Sequence, residues 1–222
     1  MEARGTGTDA VTERSDVMLQ LRTATAPEHQ QVEDTLALLD PDLTPARLTD
    51  VLRRMHAFWT AVEAGLDAWA TAEPADAGAV DWAGRRRAGV FAGDLATLGA
   101  RPLDAGPDLP APAGTDGALG TLYVLEGSTL GGVFIDRHLA TLPALADVRL
   151  RAFSPYGERT GAMWAGLRRA TRDHVAGGGD PDAVVDGARR TFRALAQWCA
   201  GVEQSAPSQG PVPPSSPGGA PA

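Results

Sequence analysis

Apolar residues recur at helical spacing over most of this chain and nowhere alternate convincingly with period two, so the pattern predicts an all-α fold. From Asp16, the positions Met18, Leu19, Val32, Leu36 and Leu39 mark a first helical region that ends at Asp40-Pro41. Pro27 interrupts it, and Thr25-Ala26-Pro27-Glu28 has the spacing of a capping box with proline in the first turn, which predicts a kink or restart. Thr44-Pro45 reads as the N-cap and first residue of a long helix that carries Leu48, Val51, Leu52, Met55, Phe58, Trp59, Val62, Leu66 and Trp69 at core spacing. A third helix is expected from Trp82 to Leu98, with Val90, Phe91 and Leu95 inward, before a Pro/Gly-rich loop over 99–114. A fourth is expected from Asp116 to Leu142 and a fifth from Glu158 to Val175; after the stop at 177–181 a last one reaches Glu203. The loop lengths fit one bundle of roughly six helices.

The stretches 1–15 and 205–222 are rich in Gly, Ser, Pro, Thr and Ala without apolar periodicity, and are expected to be loose tails around a single domain at 16–204. A chain of 222 residues with 43% hydrophobic and 22% charged residues has the composition of a globular protein with one full core. No run approaches the roughly 20 apolar residues needed to cross a bilayer, and the first residues lack the apolar stretch of a signal peptide, so the expected location is the cytoplasm. The net charge of -8 argues against a nucleic-acid partner. Every basic residue is arginine, so a carboxylate on a ligand would meet guanidinium forks. Cys199 is the single cysteine, which excludes an internal disulfide and a cysteine zinc site, and its apolar neighbours predict a buried thiol.

The fourth helix departs from an ordinary bundle. Its stretch GALGTLYVLEGSTLGG holds Gly117, Gly120, Gly127, Gly131 and Gly132, and each interior glycine costs about 1 kcal/mol relative to alanine. Gly127 and Gly131 share a face where bare backbone admits a close neighbour, and paired glycines allow a bend. Spacing alone leaves two occupants open, a packed helix or a flat ligand.

His29 lies four residues before Glu33, so on a continuous helix the carboxylate reaches the imidazole. One ring nitrogen would then be free for a metal while the other donates to the carboxylate. The same spacing also describes a surface ion pair.

Together, LRTATAPEHQQVE at 21–33 and LGTLYVLEGSTLGG at 119–132 resemble the two signature stretches of haem oxygenases, especially bacterial forms, some of which accompany bacteriophytochromes. Their order and separation match, and the helical layout extends the resemblance over residues 17–203. It implies haem held between a proximal first helix and a kinked distal helix, with His29 as the iron ligand and Glu33 as its acidic partner. It places Gly127, Ser128, Gly131 and Gly132 over the distal haem face, and Arg22 and Tyr123 at the propionates. Arg168, Arg169 and Arg172 are further propionate candidates, which no motif singles out. Mammalian-type enzymes carry an aspartate directly after the first distal glycine, whereas this chain has Ser128, as the bacterial branch does. That leaves the proton-delivery network unassigned; Arg85, Arg86, Arg87 and His56 are candidates to anchor waters, although a solvated arginine run and an ordinary helix histidine describe them better.

The resemblance implies that haem is both substrate and cofactor, that O2 is consumed, and that biliverdin, CO and ferrous iron are released. Neither a Gly-rich dinucleotide fingerprint nor cysteines for an iron–sulfur cluster occur, so electrons come from an external reductase or ferredoxin. A bacteriophytochrome is the implied receiver of biliverdin. Two other readings fit the same residues: a haem-binding carrier or sensor without turnover, and a haem-free helical interaction module in which the glycines only pack.

Overall fold

A computed structural model describes residues 16–201; the expected tails at 1–15 and 205–222, and the end of the last helix at Glu203, lie outside the described residues. Among these there is no strand, as the apolar spacing predicts, but there are eight α-helices where roughly six are expected. They are α1 (Val17–Ala24), α2 (Ala26–Leu36), α3 (Pro45–Ala72), α4 (Pro74–Ala79), α5 (Ala88–Thr97), α6 (Gly114–Thr141), α7 (Thr160–Ala176) and α8 (Pro181–Ala200).

The first helical region restarts at Thr25, but without the expected capping box. Thr25 Oγ1 donates back to the Leu21 carbonyl at 2.7 Å instead of capping α2, and Glu28 turns toward α8. Pro27 has no N–H for the Thr23 carbonyl, so one rung of the ladder is missing and the chain divides into α1 and α2. The region also ends earlier than Asp40: Ala37 adopts a left-handed conformation (φ 48°) and closes α2 at Leu36, leaving Leu39 exposed. Thr44 caps α3 as expected, its hydroxyl accepting from the Arg47 N–H at 3.2 Å.

The expected helix over 82–98 is two pieces, a 3-10 turn at Trp82–Arg85 and then α5. Glu63 on α3 makes the division. Its Oε1 accepts from the Arg87 and Ala88 N–H groups at 2.6 and 2.8 Å, so a carboxylate starts α5 where its N-terminal donors lie. The short α4, begun by Pro74, has no counterpart in the apolar pattern.

The core is built around α6, which runs unbroken from Gly114 to Thr141 and packs most extensively on α8. That contact depends on glycine. A Cβ at Gly120 would lie 2.2 Å from the Val184 carbonyl oxygen and 2.6 Å from the Ala188 nitrogen, and one at Gly187 would lie 2.9 Å from the Gly117 oxygen. By length and composition α6 is apolar enough to cross a membrane, yet 56% of that stretch is buried inside the domain, as in a core helix.

Candidate functional site

α2 and α6 both lean on α8 and make little contact with one another. They meet at a corner. The Tyr123 hydroxyl of α6 lies beside the Thr25 side chain at the α1–α2 break and feels the charge of Arg22, and its ring packs against Trp164 of α7 with ring centroids 5.7 Å apart. Burial raises the Tyr123 hydroxyl pKa above its ordinary value despite Thr25 and Arg22. One helical turn beyond Thr25 lies His29; one turn beyond Tyr123 lies Gly127.

His29 is exposed. Its Nδ1 sits 3.7 Å from Glu33 Oε2, with both side chains more than half accessible (55% and 58%), and its ring stands edge-on to Phe192 of α8 at 5.6 Å and 79°. An imidazole held along one edge by Phe192, with a carboxylate near Nδ1 but outside hydrogen-bond distance, leaves Nε2 available to a metal outside the protein's own packing.

The glycines of α6 divide by what their missing side chains would meet. Cβ atoms at Gly127 and Gly131 would find nothing within 4 Å, whereas one at Gly132 would lie 1.9 Å from the Phe153 carbonyl oxygen. Gly132 is therefore a packing glycine under the 153–154 segment. Gly127 and Gly131 form a bare strip of backbone, and exposed Leu130 and Phe134 flank it. No part of the protein covers those two Cβ positions, which leaves the strip open to a ligand. Two other surface clefts lie elsewhere: about 560 Å³ between α1 and α8, and about 290 Å³ beneath Pro110–Pro112. Neither is lined by His29, Gly127 or Gly131.

Behind the strip is a buried charged cluster that the apolar pattern does not reveal. Arg87, 1% exposed, donates to the Leu125 carbonyl at 2.9 Å, to Ser128 Oγ at 3.0 Å and to the Ala152 carbonyl, and lies over the rings of Trp59 and Phe91. Ser128 Oγ donates in turn to the Leu125 carbonyl at 2.7 Å. Arg85 pairs with Glu126, whose other oxygen accepts from the Tyr156 hydroxyl at 2.7 Å. Two of three consecutive arginines are thus buried, contrary to the solvated run expected for 85–87; only Arg86 is exposed, on Asp67. The Nε of Arg87 and the indole N–H of Trp59 are buried without protein partners, as suits groups that meet a buried water. Burial raises the pKa values of Glu63 and Asp94, outweighing the backbone N–H groups that each accepts from. The only sequence signal for this cluster was acidic residues at core spacing on α3 and α6.

The arginine candidates on α7 separate as well. Arg172 is held in a two-point ion pair by Asp16, at 2.9 and 2.7 Å. Arg168 is half-buried beside the same Asp16, and Arg22 is exposed near Tyr123. Arg169 is exposed. His56 lies away from the strip on α3, with its Nδ1 buried and no partner.

No family model matches the sequence. A stretch of 90 residues, 40% of this chain, is 40% identical to a protein named heme oxygenase from Xanthomonas campestris pv. campestris, and spans half of that relative's length. A crystal structure of the NO- and CO-bound heme oxygenase from Neisseria meningitidis superposes with a TM-score of 0.68 at 24% identity, covering 90% of this chain and all of that one. The chain therefore has the all-helical fold of the Neisseria haem oxygenase, and part of its sequence is similar to a second protein of that name.

Proposed function

We propose that this chain is a haem oxygenase, which takes haem as substrate and opens it with O2 and external electrons to biliverdin, CO and ferrous iron. Two observations carry the reading: His29 is exposed one turn beyond Thr25 on α2, and Gly127 and Gly131 are uncovered one and two turns beyond Tyr123 on α6, where Tyr123 lies beside Thr25. Haem supplies the iron at which O2 is activated and the ring that is opened. His29 would bind that iron through Nε2, and Glu33, whose carboxylate lies 3.7 Å from Nδ1, is placed to close in and accept from Nδ1–H, which would select the tautomer and increase basicity. A neutral imidazole is a moderate donor, unlike the thiolate that promotes O–O cleavage.

On the other side, Gly127 and Gly131 let the helix backbone approach the reacting face and restrict where O2 lies over the ring. Ser128 Oγ turns back to Arg87 and the Leu125 carbonyl and so links the strip to the buried cluster, where the partnerless Arg87 Nε and Trp59 Nε1 anchor water for proton delivery. Arg22, Tyr123 and Arg168 receive the propionates, and Arg172 joins them on release from Asp16. Their placement determines which meso edge faces the strip. The electrons come from a reductase or ferredoxin, the reaction takes place in the cytoplasm, and the biliverdin serves a bacteriophytochrome.

The ligand assignment is tested by optical titration with hemin. The wild type gives a stoichiometric Soret band; His29→Ala weakens it and changes the ferric spectrum, and free imidazole restores it. A His29→Ala spectrum and affinity identical to wild type would refute the assignment.

A further inference from the structure

His29 stands at the rim of α2, so the direction of its Nε2 depends on how α2 is rolled about its own axis. The inner face of α2 is Thr25, Glu28, Val32 and Leu36, all buried. Three of these are ordinary core positions, but Glu28 is a carboxylate on an apolar face. Its Oε1 accepts from Arg193 Nη2 at 2.7 Å, and Arg189 Nε lies 3.6 Å away; its Oε2 is buried with no partner. Arg189 Nε also donates to the Ala24 carbonyl at 3.0 Å, where α1 ends. Between the two arginines on the same turns of α8 sits Phe192, the residue whose ring meets the His29 edge.

We infer that Glu28, Arg193 and Phe192 are positioning residues for the His29 imidazole: the Glu28–Arg193 ion pair locks the roll of α2, and the Phe192 ring limits rotation of the imidazole. This rests on the reading of His29 as the haem ligand. The leverage is large. With Cα atoms about 2.3 Å from a helix axis and an imidazole reaching roughly 4 Å further, a roll of about 10° displaces Nε2 by about 1 Å. A displacement of that size at a reacting centre costs on the order of 100-fold. A single hydrogen bond links Arg193 to Glu28, so lysine can replace it, which a site needing the planar fork would not allow.

The test is resonance Raman spectroscopy of the reduced hemin complex, following the iron–histidine stretch, with circular dichroism as a check on folding. In Glu28→Gln and Arg193→Gln the helical spectrum and the Soret band are retained, the stretch shifts and broadens, and turnover falls by about tenfold or more. Phe192→Leu broadens the band with the ion pair intact. Arg193→Lys restores the wild-type band, which a merely stabilising role would not require. If the wild-type stretch is unchanged in Glu28→Gln and Arg193→Gln, or if Arg193→Lys behaves as Arg193→Gln, the positioning role is refuted while the ligand reading stands. A wild-type complex with no His29-dependent stretch refutes the ligand reading and the positioning role together.

Discussion

Adding methyl groups to α6 separates its two kinds of glycine. Alanine at Gly127 or Gly131 enters open space, since nothing lies within 4 Å of either Cβ position. Each substitution then removes a glycine from a helix interior at no steric cost and stabilises the ligand-free protein by about 1 kcal/mol. For a chain of this size that is about 2–4 °C in Tm, so the double variant melts about 4–8 °C higher. Alanine at Gly120 or Gly132 acts in the opposite direction. Those Cβ atoms would lie 2.2 Å from the Val184 oxygen and 1.9 Å from the Phe153 oxygen, both backbone atoms that cannot move alone. Overpacking of this kind costs about 1–3 kcal/mol or more. The assay is thermal melting of the hemin-free variants by circular dichroism, followed by hemin turnover under reductant. Gly127→Ala/Gly131→Ala is expected to melt higher and to yield at least about tenfold less biliverdin, because the methyl groups occupy the ligand's space. A lower Tm would mean that the strip is filled in the folded protein. A higher Tm with full turnover would mean that those glycines are not kept for a ligand.

The buried pair behind the strip is expected to be fragile: Arg85→Met leaves Glu126 buried and uncompensated, at a cost of about 3–5 kcal/mol by urea unfolding. A change near zero would place Glu126 in solvent. Burial lowers the pKa of His56 below its ordinary value, so as pH falls through that value the unfolded chain takes up a proton that the folded protein resists. Its contribution to stability is thus complete above the ordinary histidine range and lost as pH falls. His56→Leu should flatten the urea midpoint between about pH 7.5 and pH 5.5, and an unchanged slope would contradict this. Burial pushes the Cys199 thiol up to about 11. With about one thiolate in a thousand at pH 8, iodoacetamide should label it quickly only in denaturant, and fast labelling of the folded protein would contradict its burial.

Much of the helical layout was legible because helices bury one face, and Leu48 through Trp69 and Phe91 through Leu95 display that period openly. The α1–α2 break was legible in Pro27. The capping box was not a sound inference, because Thr25 had a closer acceptor in the Leu21 carbonyl and Glu28 had two arginines on α8, neither of which a local motif includes. The division of the third helix escaped for the same reason: it depends on Glu63, which reaches Arg87 and Ala88 from a different helix. Glycine spacing placed Gly127 and Gly131 on one face but did not show what opposes it. α8 crosses α6 at Gly120 and then runs on to α2, which leaves Gly127 and Gly131 uncovered. Burial of Arg85 and Arg87 was invisible in a run of three arginines, since charge alone does not distinguish a solvated guanidinium from one satisfied by Glu126, backbone carbonyls and aromatic rings.

The most direct test of the account is the fate of one equivalent of hemin bound to the protein when ascorbate or a reductase is added under air, with catalase present to remove free peroxide. The account predicts a Soret band that decays into biliverdin absorption, with CO released and iron recovered as the ferrous ion. A Soret band that persists through reduction in air would contradict it and leave a haem carrier or sensor.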